Sequence, residues 1–193
     1  SLKSIQIQIL ADKIELISKD EDQGLARVEA GAKTALFVSQ TIKFGLAGLE
    51  KFLGVPGTIG GAIYNNAHYL EDLLSHYIQR VEIVADNGQV KWLNHDQCRF
   101  KYDSSRFQQT NEVVVQAEFV LPLGELTESK EKLKQATLYR AKTQPLGQPS
   151  SGCIFQNVPN SPELKQKFPQ FSNCDHVPTG FLIDQAGLKG KTV

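Results

Sequence analysis

Cys153 has a sequence setting in which a thiol could do chemistry. It lies in the stretch QPSSGCIFQN, residues 148–157, after three small residues and before a short apolar step. The small residues predict a tight turn that leads into a strand. A cysteine with an ordinary pKa of about 8.5 keeps its proton at neutral pH and can act as a general acid. Two alternatives stay open, a nucleophilic thiolate and a small buried side chain, and composition alone favours the buried side chain.

A second stretch, CRFKYDSSRF at residues 98–107, mixes aromatic and polar side chains. Such a loop can stack a ring of a ligand and hydrogen-bond its polar groups. Taken alone, the stretch is better explained as a turn whose aromatic rings fill the core. Cys98 lies among apolar residues and is predicted to be inert. The histidines show no metal-ligand spacing, and His68 is predicted to be a surface imidazole rather than a pocket residue.

The third stretch, GLEKFLGVPGTIGGAIYNNAH at residues 48–68, contains five glycines and almost no charge after Lys51. A surface loop would carry more polar side chains, and a core strand would carry fewer glycines. The pattern predicts main chain that is pressed closely against other backbone or against a bound ligand.

Composition narrows the class of protein that must position these stretches. The chain has 193 residues, 40% apolar and 22% charged, which is typical of one or two globular domains. Lys+Arg and Asp+Glu balance at 21 each, so there is no basic field for nucleic acid. Three widely spaced cysteines without a CxxC pair argue against a disulfide framework or zinc site and favour a reduced, cytoplasmic compartment. No apolar run reaches membrane-spanning length, and no membrane partner is expected.

Periodicity predicts an α+β fold. Residues 4–30 are predicted to form three antiparallel strands, and Thr34 is predicted to cap a helix that Gly45 ends. A short helix over 46–54, a hairpin over 79–94 around Asn87 and Gly88, and a strand over 112–123 follow. Two helices complete the pattern, one over 127–144 and one that Ser161 caps with Pro162 at its first position. A domain boundary is expected near 122–127.

Five stretches in order give the chain a resemblance to the UDP-N-acetylenolpyruvoylglucosamine reductase family. They are VEAGA with the glycine stretch, CRFKYDSSRF, RAKTQPLGQPSSGCIFQN and GFLIDQAGLKG. The resemblance implies the second subdomain of a two-part FAD-binding domain over residues 1–122 and a substrate-binding domain over 123–193. It implies FAD and NADPH as cofactors. The residues that would meet FAD are Pro56, Gly57, Thr58, Gly60 and Gly61.

The resemblance also implies a reaction, in which hydride reaches C3 of an enolpyruvyl UDP-sugar and a proton reaches C2, giving UDP-N-acetylmuramate for peptidoglycan synthesis. Cys153 matches the proton donor. Tyr102, Ser105 and Asn157 match substrate-binding positions, and Arg140 is a candidate cation for a phosphate or carboxylate. The family usually has arginine where this chain has Asp103, so Arg106 is expected to supply the catalytic cation. No metal is expected.

The ends of the chain lead us to expect a fragment that is truncated on both sides and that binds FAD weakly by itself. Two alternatives to the reductase remain: a catalytically silent binding protein that keeps the fold, and another flavin oxidoreductase of the same fold group. The oligomeric state is not predicted.

Overall fold

The computed structural model of the chain describes residues 7–143 and 154–191. The chain divides into two compact units, Ser1–Gln144 and Pro145–Val193. Helices and strands occur in both units, which confirms the α+β class. Within the described ranges, no helix is both long and apolar enough to cross a membrane.

A five-stranded sheet organises the first unit. Its strands are β1 (Ile14–Lys19), β2 (Gln23–Glu29), β5 (Ile78–Val84), β6 (Val90–Asn94) and β7 (Val113–Pro122). Their order across the sheet is β1-β2-β7-β5-β6, and every neighbouring pair is antiparallel. Alternate residues of β2 are fully buried, including Ala26 and Val28, so one face of the sheet packs into the core.

Two helices share that core with the sheet. They are α1 (Thr34–Lys43) and α2 (Ile59–Tyr64), and their apolar side chains Phe37, Val38, Ile59 and Ile63 are fully buried. The Phe37 ring lies 4.9 Å from the ring of Phe119 on β7, centroid to centroid. Burial of these rings fixes α1 on the sheet, because large aromatic side chains contribute most of the energy of such a core.

Short elements fill the connections of the first unit. The strands β3 (His68–Tyr69) and β4 (Asp72–Leu73) pair as a small hairpin. Single 3-10 turns occur at Glu50–Gly54, Leu74–Tyr77, Asp96–Cys98 and Arg106–Gln108. The long helix α3 (Leu126–Thr143) follows β7.

The second unit contains β8 (Val158–Pro159) paired with β9 (His176–Val177), and the helices α4 (Pro162–Lys167) and α5 (Thr179–Gln185). A 3-10 turn covers Pro169–Phe171. Ser161 accepts a hydrogen bond from the Leu164 amide and Pro162 is the first residue of α4, so the predicted cap is confirmed.

The predicted hairpin and the predicted end of α1 are confirmed. The strands β5 and β6 pair across a turn in which Gly88 has φ +79°. Gly45 has φ +73°, and the Leu46 amide donates to the Thr41 carbonyl at 3.0 Å. This is the left-handed helix ending that glycine permits at least cost.

Three local predictions differ from the structure. Thr34 does not cap α1, because Lys33 holds that position and the Thr34 hydroxyl instead donates to the Gly57 carbonyl at 3.4 Å. Two described strands lie within residues 4–30 rather than three: residues 7–10 are not part of a strand, and residues 4–6, where the first predicted strand begins, lie outside the described residues. Residues 7–10 line the cleft that is described below. The predicted 46–54 helix is reduced to a 3-10 turn.

The compact units divide about twenty residues later than the predicted domain boundary, between 144 and 145. A buried polar contact explains why α3 belongs to the first unit. The Glu50 carboxylate is 2% exposed and accepts hydrogen bonds from the Gly48 amide at 2.7 Å and from the Ser129 hydroxyl at 2.8 Å. A buried carboxylate needs such partners, so α3 is fixed to the 3-10 turn near the start of the glycine stretch.

Candidate functional site

A cleft of about 730 Å³ lies in the first unit beside the glycine stretch. Its walls include Thr58, Gly60, Gly61 and Tyr64 on one side, Ala30 and Gly31 at the end of β2, and residues 7–10. The sequence predicted that main chain at this position is pressed against other backbone or against a ligand. The glycines of the cleft show both situations: some are packed against the protein, and one faces open space.

Gly60 and Gly31 are packed against other backbone. A Cβ atom on Gly60 would lie 3.0 Å from the Ala30 Cβ, and one on Gly31 would lie 2.6 Å from the Ile9 and Ala11 carbonyl oxygens. Gly61 differs, because its added Cβ would meet only the Thr58 hydroxyl at 3.8 Å. Gly61 therefore presents bare backbone to the cleft, where a ligand can approach closely.

The amides at the start of α2 donate within the protein. The Gly60 amide donates to the Ala30 carbonyl at 2.8 Å, and the Gly61 amide donates to Thr58 Oγ1 at 3.4 Å. These amides are thus engaged within the protein, and their contact with FAD stays a prediction. The surface offered to a ligand is Cα of Gly61 and the hydroxyl of Thr58.

Pro56 and Gly57, also predicted to meet the cofactor, do not line this cleft. The Gly57 carbonyl accepts the Thr34 amide at 3.1 Å, and Gly57 has φ +92°. Gly57 thus has a structural reason to be glycine. Its positive φ belongs to the turn whose carbonyl bonds the glycine stretch to the start of α1.

The loop with Tyr102 is tied to the cleft wall. Ser105 is 1% exposed, and its hydroxyl donates to the Tyr64 carbonyl at 2.6 Å. Asn66, which is fully buried, donates from Nδ2 to the Lys101 carbonyl at 2.8 Å and accepts the Ser75 amide. Burial removes Ser105 from direct ligand contact in this structure, so it positions the loop against α2.

Tyr102 contacts a pair that the sequence did not predict. The Tyr102 hydroxyl lies 3.2 Å from His68 Nε2, and His68 Nδ1 lies 3.0 Å from Asp103 Oδ1. The side chains of His68 and Asp103 are each 25% exposed. His68 was predicted to be an ordinary surface imidazole. Only the arrangement in space reveals the contact, because residues 68 and 103 are far apart in sequence.

Arg106 is not part of this group. Its guanidinium donates to both oxygens of Glu112, from Nε at 2.7 Å and from Nη2 at 2.9 Å. Hydrogen bonds from Arg106, with further help from Thr110 and Lys91, lower the pKa of the Glu112 carboxyl although burial opposes the shift. The role of Arg106 as a catalytic cation stays a prediction, and its present partner is a carboxylate of β7's entry loop.

Arg106→Met is expected to lower the free energy of unfolding by about 1–2 kcal/mol at pH 7, because Glu112 loses a charge-assisted bidentate partner. The depressed pKa of Glu112 contributes stability that is present above its ordinary value of 4.5 and lost as pH falls. Urea unfolding at pH 7 and pH 3 should therefore show a smaller pH dependence in the variant. Lys91→Met is the control, since Lys91 lies 3.7 Å from Glu112 and is half exposed; an equal effect would contradict the assignment.

Arg140 on α3 lies over the start of the glycine stretch. Its Nη1 donates to the Gly54 carbonyl at 3.1 Å, and its guanidinium lies 5.0 Å from the Tyr69 ring centroid. The buried Nε atom has no hydrogen-bond partner. A Cβ on Gly54 would lie 2.5 Å from that Nε, so Gly54 makes room for the guanidinium.

Asn157 lies in the second unit, where its Oδ1 accepts the amide of Thr179 at 3.3 Å. The contact joins Asn157 to the first residue of α5. Cys153 lies outside the described residues. Cys98 is fully buried, and burial raises the pKa of its thiol to about 12, in agreement with the prediction that it is inert at neutral pH.

Comparison with known proteins gives the class of the first unit. Residues 5–94 match the family model of the FAD binding domain. The matched range includes β2, the glycine stretch and every lining residue of the cleft except Val114.

The most similar relatives narrow the class further. A UDP-N-acetylenolpyruvoylglucosamine reductase of Protochlamydia amoebophila is 34% identical over 94% of this chain and 54% of its own length. One of Carboxydothermus hydrogenoformans is 34% identical over 86% of this chain and 50% of its own length. The crystal structure of the reductase from Thermus caldophilus matches with a TM-score of 0.70 and 28% identity, over 86% of this chain and 55% of that one.

The chain belongs to the UDP-N-acetylenolpyruvoylglucosamine reductase family, which is a family of enzymes. It spans about half the length of the curated relatives it matches.

Proposed function

We propose that this chain serves the FAD-dependent, NADPH-consuming reduction of an enolpyruvyl UDP-N-acetylglucosamine to UDP-N-acetylmuramate. The observation that carries the proposal is the glycine-walled cleft within a domain that matches FAD binding domains. Family membership supports the substrate class. The reaction would serve peptidoglycan synthesis in the cytoplasm, with effects on cell shape and division.

The lining of the cleft supports FAD as its ligand. Gly61 leaves its side of the cleft open, Tyr64 is 44% exposed beside it, and Leu36 of α1, also 44% exposed, adds an apolar wall. Flat aromatic ligands bind best to apolar walls with a few placed polar groups, and the Thr58 hydroxyl is such a group. Bound there, FAD would supply the hydride transfer that side chains cannot perform.

The side chains of this chain would handle binding and the proton. Tyr102, held next to α2 by the buried Ser105 and Asn66, would contact the substrate. Arg140 would offer its guanidinium to a phosphate or carboxylate, and Asn157 would be a substrate-binding residue. Cys153 would donate its thiol proton to C2 of the enolpyruvyl group, where charge develops as hydride reaches C3.

A silent binding protein is the second candidate. The observation that favours it is the negative charge at position 103 together with the pairing of Arg106 to Glu112. Arg106, the expected catalytic cation, is thus bound to a carboxylate of the protein itself. Such a protein would bind FAD or the UDP-sugar without turnover.

Separate half-reactions test the proposal. The protein is loaded with FAD, reduced with NADPH and mixed with the enolpyruvyl substrate while flavin absorbance is followed. Reoxidation by the substrate supports the reductase, and reduction without reoxidation supports the silent alternative. Cys153→Ala should slow only the second half-reaction, with partial recovery in Cys153→Ser. Cys98→Ala is the matched loss of a buried thiol, and equal slowing in both alanine variants would contradict the assignment of Cys153.

A further inference from the structure

Three titratable side chains, those of Asp103, His68 and Tyr102, contact one another in a row. Tyr102 and Asp103 belong to the loop at residues 98–107, which is the candidate substrate loop. Asp103 Oδ1 is 3.0 Å from His68 Nδ1, and His68 Nε2 is 3.2 Å from the Tyr102 hydroxyl. The rings of His68 and Tyr102 lie 4.6 Å apart at an interplanar angle of 40°. Both imidazole nitrogens are therefore engaged by groups of this loop.

The backbone holds the carboxylate in place. Asp103 has φ +51°, a left-handed conformation that aspartate tolerates better than most residues. Lys101 and Ser104 exchange backbone hydrogen bonds of 2.9 and 3.1 Å around it, and Gln108 donates to the Asp103 carbonyl at 3.1 Å. The direction of the carboxylate toward His68 is thus set by the turn as well as by the contact itself.

Hydrogen-bond chemistry determines where the protons lie. An ionised carboxylate only accepts, so Nδ1 of His68 must carry a proton to bond Asp103. In the neutral ring Nε2 is then an acceptor, and the Tyr102 hydroxyl donates to it. The Tyr102 proton is thus committed to His68, so any other hydrogen bond at the Tyr102 oxygen is one that this oxygen accepts.

We infer that Asp103 and His68 are positioning residues that hold Tyr102 as a hydrogen-bond acceptor for a donor group of the ligand, such as a sugar hydroxyl or an amide N–H. This inference rests on the proposed function for the identity of the ligand. A phosphate or carboxylate oxygen has no proton to offer Tyr102 once ionised. The sugar part of a UDP-N-acetylhexosamine has both donor types.

Asp103→Asn tests the inference with almost no change of shape. The amide nitrogen of asparagine can donate to Nδ1, which moves the ring proton to Nε2 and turns the Tyr102 hydroxyl toward the ligand. Nitrogen-15 NMR of His68 should report an Nδ1–H ring in the parent and an Nε2–H ring in the variant. Asp86→Asn, at an exposed hairpin turn, removes the same charge and should leave the His68 signals unchanged.

Binding provides the second readout, with UDP-N-acetylglucosamine and UDP as probes. Asp103→Asn should weaken binding of UDP-N-acetylglucosamine about tenfold, the usual size of one lost hydrogen bond, and leave UDP unchanged. His68→Gln should retain most of the affinity, because its amide oxygen can accept the Tyr102 proton. Equal weakening for both probes, or an Nε2–H ring in the parent, would overturn the inference. If the parent binds neither probe, the proposed function fails. The NMR result alone then tests whether Asp103 and His68 hold Tyr102 as an acceptor.

Discussion

Gly61→Leu is expected to weaken FAD binding by about 100-fold while the domain stays folded. The side chain would leave α2 into the cleft, where nothing but the Thr58 hydroxyl lies near the added Cβ. Forcing an apolar branch into a ligand's space costs about 1–3 kcal/mol, and each 1.4 kcal/mol is tenfold in affinity. Leucine also favours a helix over glycine by about 1 kcal/mol, so the fold should not suffer.

Fluorescence titration of FAD into parent and variant measures this effect, with urea unfolding as the check on folding. Ala35→Leu is the matched control, because Ala35 is exposed on α1 and does not line the cleft. If Gly61→Leu binds FAD as tightly as the parent, FAD does not occupy this cleft. If Ala35→Leu weakens binding equally, the effect is not local to Gly61.

Phe119→Ala is expected to lower the free energy of unfolding by about 3–5 kcal/mol, the range for a fully buried phenylalanine. Phe119 lies on the central strand β7, is 0% exposed and packs against the Phe37 ring. The cavity would open between the sheet and α1, where neither element can move without breaking the other contacts of the core. Chemical unfolding followed by circular dichroism measures the loss.

The same strand provides the control. Val113 is 47% exposed at the start of β7, so Val113→Ala should cost well under 1 kcal/mol. The double variant Phe37→Ala with Phe119→Ala should lose less than the sum of the single changes, because the rings contact each other. An additive result would mean that the two rings stabilise the core independently.

Local patterns in the sequence predicted local structure well. The hairpin of β5 and β6 followed from alternating residues around Asn87 and Gly88, and the α4 cap followed from Ser161 and Pro162. Thr34 misled the prediction because a threonine before an apolar stretch fits a cap, while in the structure its hydroxyl donates to the Gly57 carbonyl. Helix-capping propensity depends on neighbouring residues, so it does not predict a hydrogen bond to a residue that is distant in sequence.

In the candidate site, too, the sequence predicted local features but not a contact between distant residues. The glycine stretch was predicted to meet other backbone or a ligand, and Thr58, Gly60 and Gly61 do line a cleft, although the Gly60 and Gly61 amides donate within the protein. The arrangement of His68 with Asp103 could not be predicted, because it depends on how β3 and the 101–106 turn meet. The signal in the sequence was Asp103 itself, which departs from the family's usual arginine.

The position of β7 in the sheet has a consequence for synthesis. β7 is the last strand of the sheet in the chain, yet it lies at the centre, paired with β2 and with β5. Gln23 on β2 pairs with Pro122 on β7, so most of the first unit lies between these two paired residues in the sequence. Such distant pairing makes folding slow, on the order of milliseconds to seconds. On the ribosome, β1–β2 and β5–β6 would wait as separate hairpins with open edges until residue 122 emerges, and a chaperone that shields strand edges would act in that interval.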